Sequence, residues 1–174
     1  VAEGGTRSGV EEGLSIQNPA DRDAAVEITY MLASGENKTG NLTVKKKSRA
    51  TVDVNGAVGP DQDVSVKVTS SNDVPIIAER PMYFSYKGIY DGGHDVIGAS
   101  SAKTTWYLAE GCTRSGFEEW ISIQNPSSGD AKVTLTYRLG NGDNKTQEVQ
   151  VKASSRATVD VNTAVGPEQG VSCT

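Results

Sequence analysis

Residues 2 to 67 recur without a gap as residues 109 to 174, with 41 of the 66 aligned positions identical at a constant offset of 107. Ala2-Glu-Gly-Gly-Thr-Arg-Ser-Gly9 returns as Ala109-Glu-Gly-Cys-Thr-Arg-Ser-Gly116, and Ser15-Ile-Gln-Asn-Pro19 as Ser122-Ile-Gln-Asn-Pro126. Ser48-Arg-Ala-Thr-Val-Asp-Val-Asn55 returns as Ser155-Arg-Ala-Thr-Val-Asp-Val-Asn162. Solenoid repeats run to about 20–50 residues, so a unit this long matches one small sandwich domain instead. Two successive domains are expected, 1–100 and 101–174. Val1 aligns with Leu108, so Thr104-Thr-Trp-Tyr-Leu108 has almost no counterpart before the first copy, and Thr174 aligns with Lys67. The first unit is therefore expected to lack its opening strand and the second to be C-terminally incomplete, as in a window cut from a longer array.

Nineteen valines and 15 threonines stand against 6 leucines, a balance that suits a pleated surface better than a helix. Period-2 alternation then places the strands. Leu14 and Ile16 point one way and Ser15 and Gln17 the other; Val26, Ile28, Tyr30 and Leu32 form an inward set, repeated as Val133, Leu135, Tyr137 and Leu139. Leu42 and Val44, then Ala50, Val52 and Val54, continue the alternation; Val64 to Val68 give a further strand, and Val74 through Tyr86 the last. No segment carries a 3.6-residue period. The expected fold is all-β: tandem immunoglobulin-like antiparallel sandwiches of about seven strands per unit.

A formal charge of -5 and a pI near 4.9 argue against nucleic acid or an anionic membrane as partner, since either needs a basic face. No apolar run long enough to insert in a membrane is present. The single histidine, His94, lies in Tyr90-Asp-Gly-Gly-His-Asp95, which reads as a glycine-rich loop, and no catalytic, phosphate-binding or metal-spacing motif accompanies it. No catalysis and no cofactor are expected. Glu11-Glu12 and Glu118-Glu119, with Glu3 and Glu110, could surround a hard cation, but the aspartate-rich spacing of a calcium loop is missing. Solvated charges paired with Arg7 and Arg114 are the simpler reading.

Trp120 alternates with Ile121 and Ile123 and should face outward, where an indole can stack on a sugar or pack on a neighbour. Trp106, Tyr107, Tyr83, Phe84, Tyr86 and Tyr90 gather near the join between units. Asn37-Lys-Thr39, Asn41-Leu-Thr43 and Asn144-Lys-Thr146 match the glycosylation acceptor pattern in or beside an expected hairpin turn, where turn chemistry also favours asparagine. Cys112 replaces Gly5 and Cys173 replaces Val66, a paired gain that suggests a disulfide. Closing that loop would add about 4 kcal/mol in the chain-entropy model, in an oxidising compartment; the alternative is two unrelated thiols.

Trp106-Tyr-Leu-Ala-Glu-Gly, Phe117-Glu-Glu-Trp-Ile-Ser-Ile-Gln-Asn-Pro126 and Asn72-Asp-Val-Pro-Ile-Ile-Ala-Glu-Arg-Pro-Met-Tyr83 together resemble a tandem repeat of secreted bacterial surface proteins. More distantly, the W-x-x-A-E-G start and the S-N-D-V-P-I-I strand are similar to the sensory rhodopsin transducer superfamily, β-sandwich domains proposed to bind small molecules. That resemblance implies a pocket near Glu79, Arg80 and His94; Trp120 is a further ligand candidate, in the second copy, by its outward-facing indole alone. The repetition, with the resemblance to secreted bacterial surface repeats, implies an extracellular cell-surface module, structural or adhesive. Its expected partners are neighbouring repeats or identical chains and cell-surface glycans, with assembly by strand complementation.

Overall fold

The computed structural model describes residues 1–174 and divides them into two compact units, Val1–Ser100 and Ser101–Thr174. Each unit is built from antiparallel β-sheets. In the first, β1 (Val10–Asn18), β4 (Ser48–Asp53), β6 (Ile77–Tyr86) and β7 (Tyr90–Ile97) form one sheet in the order β4-β1-β6-β7. β2 (Ala24–Leu32), β3 (Asn37–Val44) and β5 (Val64–Ser70) form the other, in the order β3-β2-β5.

The alternation of the sequence decides what lies between the sheets. Leu14 and Ile16 of β1 are fully buried, and they share a core with Val26, Ile28, Tyr30 and Leu32 of β2 and with Val64 and Val66 of β5. Each fully buried aliphatic side chain stabilises by about 1.5–3 kcal/mol, which is the main force closing the sandwich. An immunoglobulin constant-type domain keeps its first two strands in one sheet. Here β1 and β2 lie in different sheets and β6 adds directly to β1.

The second unit repeats this scheme with β8 (Trp120–Asn125), β9 (Ala131–Leu139), β10 (Asn144–Val151), β11 (Ser155–Asp160) and β12 (Val171–Cys173), in sheets β11-β8 and β10-β9-β12. In both units the opening segment runs along the last strand of the second sheet. Val66 N–H donates to Val1 O at 2.9 Å and Val64 N–H to Gly4 O at 3.1 Å. In the second unit Cys173 N–H donates to Leu108 O at 2.8 Å and Val171 N–H to Gly111 O at 2.9 Å.

Three expectations are corrected. Val54 does not continue β4: it opens a one-turn helix, α1 (Val54–Val58), matched by α2 (Val161–Val165), because apolar residues at i and i+4 bury Val54 with Val58. Tyr90 to Asp95 is not a loop but most of β7, laddered to β6 from Glu79↔Ile97 to Tyr86↔Tyr90. Its glycines suit the strand because aromatic rings lie across them: a Cβ at Gly93 would stand 2.9 Å from Tyr83 Cδ1, and one at Gly92 3.2 Å from Phe84 Cζ. Finally, Cys112 and Cys173 are both free thiols. Cys112 faces Gly170 across its bridge, three residues short of Cys173, whose own bridge partner is Leu108. At about 3.3 Å per residue that offset is roughly 10 Å, well beyond the Cα separation a disulfide spans.

Candidate functional site

Of the residues proposed for a pocket, Arg80 and His94 meet and Glu79 does not. β6 pairs Ser15 with Glu79 and Glu12 with Met82, so alternation turns Ala78, Arg80 and Met82 toward the interior and Glu79 to the opposite, solvent face. Met82 pairs with His94 on β7, which brings the imidazole onto the same inner face.

There the Arg80 side chain is wholly buried. Its Nη2 donates to Glu3 Oε2 at 2.7 Å, and its Nη1 lies 3.4 Å from His94 Nδ1. His94 Nε2 stands 3.9 Å from the same Glu3 oxygen, and its ring meets Phe84 edge-on with centroids 6.1 Å apart. Arg80 Nε has no hydrogen-bond partner. Glu3 belongs to the opening segment, so the ion pair ties that segment to the inner face of β6. A charge removed this far from water requires a paired carboxylate, and Glu3 supplies it.

A second carboxylate is also internal. Glu12 is 3% exposed, and its Oε2 accepts the Gly5 N–H at 2.6 Å. The carboxylate sits against Gly4, where a Cβ would collide with both of its oxygens. Glu119 occupies the same place against Gly111 in the second unit, where burial pushes its carboxyl pKa up, partly offset by the Cys112 N–H. The Ala-Glu-Gly run common to both copies was the available signal. Its glycine makes room for the later glutamate, and in the first unit its glutamate reaches the buried arginine. Glu11 is exposed, but the reading of Glu12 as solvated and of Arg7 as its partner is corrected: Glu12 is buried, and Arg7 pairs with Asp63 at 2.8 Å. No group of three or more His, Cys, Asp or Glu side chains is placed to hold a metal ion.

The remaining candidates lie apart from this cluster. Trp120 opens β8 in register with Asp160 and is 52% exposed. Asn37 and Asn144 are exposed at the starts of β3 and β10, whereas Asn41, also exposed, sits within β3 rather than in a turn. In the second unit an open dish of about 440 Å³ lies between β10, β11 and α2, lined by residues that include Glu148, Thr158, Asp160 and Thr163. No helix is long and apolar enough to cross a membrane.

Several polar residues identical in the two copies have the same internal task in each. Thr6 Oγ1 donates to Gly59 O, as Thr113 does to Gly166 O. The Asn18 side chain donates to Val44 O, as Asn125 does to Val151 O. Lys38 Nζ donates to Val58 O at 2.6 Å, and Lys145 Nζ to Val165 O at 2.7 Å, each holding the end of a short helix. Arg49 bonds Ser15 and Thr51 as Arg156 bonds Ser122 and Thr158.

These features define an all-β repeat protein whose repeated side chains brace a sandwich frame. The chain belongs to the family described as "Family of unknown function (DUF5719)", which matches residues 1–174. No curated protein matches it. Among solved structures, a red sea bream transglutaminase aligns at 14% identity with a TM-score of 0.22, over 90% of this chain and 25% of that one. The chain thus spans about a quarter of that protein's length.

Proposed function

We propose that this chain is part of an extracellular cell-surface or filament-forming protein, in which each unit is a non-catalytic structural or adhesive module of immunoglobulin-like character. One observation supports this above the others: Thr6, Asn18 and Lys38 and their counterparts Thr113, Asn125 and Lys145 make matching hydrogen bonds, each inside its own unit. What the repeat preserves is a frame. An array of such frames extends reach and multiplies weak contacts, which favours avidity over turnover. Its partners are neighbouring repeats or identical chains. Residues 1–6 already pair with Val64 and Val66, so assembly by strand complementation is directed to other edges. Electron microscopy of material from the native source, with light scattering of the chain, tests the reading: ordered arrays are expected, and a monodisperse monomer in both samples would overturn it.

A second reading, a saccharide-binding module, is favoured by exposed aromatic side chains in each unit taken by itself. The exposed large apolar side chains all fall between Ile77 and Trp120, with Tyr83 at 63% and Trp120 at 52%. Stacking on a sugar ring would use these faces, and cell-surface glycans would be the ligands. Saccharide screening by calorimetry, with Tyr83→Ala and Trp120→Ala as controls, separates it from the first reading.

A further inference from the structure

We infer that β7 and β4, the two free edges of the four-stranded sheet in the first unit, are complementary and join one copy of this chain to the next in an open array. The inference rests on the structural reading above and supplies its contact.

The first unit has four sheet edges. That of β5 is occupied from Val64 to Val66 by the opening segment, and that of β3 carries the two sequon asparagines, Asn37 and Asn41. The remaining two belong to one sheet. Natural edge strands are blunted by charged side chains, above all lysine, by proline or by a bulge; these two carry Asp91, Asp95, Arg49 and Asp53 but no lysine, proline or bulge. β7 is exposed along its whole length, its ladder to β6 is unbroken, and it contains no lysine or proline. β4 pairs with β1 without a break from Gly13↔Asp53 to Asn18↔Ser48, and it too lacks both residues.

Strand direction makes these edges compatible. β4 and β6 are both antiparallel to β1, and β7 is antiparallel to β6, so β7 runs opposite to β4. A second copy shifted along the sheet, and not turned over, therefore presents β4 antiparallel to β7. Their backbones can then continue the ladder across the junction. Such a contact is heterologous and does not close on itself, and sheet twist would wind the array into a helix.

Charge selects the register. On the solvent face β7 carries Asp91 and Asp95, and β4 carries Arg49, which hydrogen bonds hold beside Ser15 and Thr51. None of the three is in an ion pair within its own chain. Setting Asp95 opposite Arg49 aligns residues 91–96 with residues 53–48 and places Gly93 against Thr51. Asp53, which this register sets against Asp91, turns its carboxylate over Gly56, where a Cβ would stand 2.7 Å from Oδ2. Opposite charges facing each other across strands favour pairing, and like charges oppose it.

The test uses the whole chain and charge reversal at both edges. Wild-type mass, followed by sedimentation over a concentration series, is expected to rise with concentration and to fall back in high salt, which screens exposed charges. Asp95→Lys alone and Arg49→Glu alone are expected to stay monomeric with unchanged circular dichroism. Mixing the two in equal amounts restores a matched pair at every junction, so assembly should return. Because Arg49 also braces Ser15 and Thr51, Asp95→Lys on the other edge serves as the block that leaves this brace intact. A wild-type chain that stays monomeric at every concentration, single variants that assemble like wild type, or a mixture that stays monomeric would each overturn the inference. Ordered arrays from the native source that persist in both charge-reversed variants would overturn it while leaving the structural reading standing.

Discussion

Asn55 joins α1 to β1 through the backbone beside Glu12: its side-chain oxygen accepts the Glu12 N–H at 2.8 Å, and its amide donates to Val10 O at 2.7 Å. Asn162 makes the same pair of bonds with Glu119 at 2.9 Å and Phe117 O at 3.0 Å. Replacing either asparagine by alanine leaves a backbone donor and a backbone acceptor without partners. The expected loss is about 1–3 kcal/mol in the unit concerned, measured by chemical denaturation. Equal stability in Asn55→Ala and wild type would show that water satisfies both groups.

Glu3 and Glu110 are equivalent in sequence and different in place. Glu3 holds the wholly buried guanidinium of Arg80, whereas Glu110 is exposed. Glu3→Ala should destabilise the first unit by about 2–3 kcal/mol, a buried-pair loss discounted because Glu3 is itself half exposed. Glu110→Ala should change stability little. Thermal unfolding of the two variants side by side checks this, and equal effects would mean that the Arg80 ion pair contributes nothing measurable.

The contrast between those two glutamates bears on how far the sequence could be read. Alternation at Leu14, Ile16, Val26, Ile28 and Tyr30 located the core correctly, because a strand with one face in water must write that fact every second residue. β7 escaped the same logic. Its Asp-Gly-Gly-His-Asp run carries no apolar alternation, and what makes it a strand is the pair of rings supplied by Tyr83 and Phe84. Arg80 was legible as a charged residue and illegible as a buried one, since its carboxylate lies 77 positions away in the chain. The two cysteines misled for a related reason. Their substituted positions lie on neighbouring segments, and only the bridge register shows them to be about three residues out of step.

Glu119 sets a pH dependence opposite to that of an ordinary surface carboxylate. Burial raises its folded-state pKa above 4.5, so the folded chain binds the proton more tightly than the unfolded one. Its contribution therefore weakens stability as pH rises through the window just above 4.5. Asp130 acts in the other direction: the Lys152 side chain and the Ala153 N–H hold its pKa below 3.8, and the stability it adds is lost as pH falls through that lower value. Glu119→Gln should stabilise the second unit at neutral pH and remove the decline above pH 4.5, as followed by denaturant midpoints from pH 4 to 8. A variant less stable than wild type at neutral pH would show that the bond from Cys112 N–H outweighs burial.

The thiols provide the last prediction. Cys173 is 4% exposed in the core of the second unit, and burial raises its pKa, so little thiolate forms and little reagent reaches it. Cys112 is only partly buried. Alkylation of the native chain should therefore label Cys112 quickly and Cys173 only after denaturation, with intact mass reading one adduct and then two. Cys173→Val places in β12 the residue that Val66 supplies in β5, and should keep or raise stability, since valine suits the same apolar site without a thiol. Mild oxidation of the folded chain should leave both thiols titratable. A two-dalton loss with no free thiol remaining would mean that the segment carrying Cys112 slides along β12 far enough to form the bond that this register forbids.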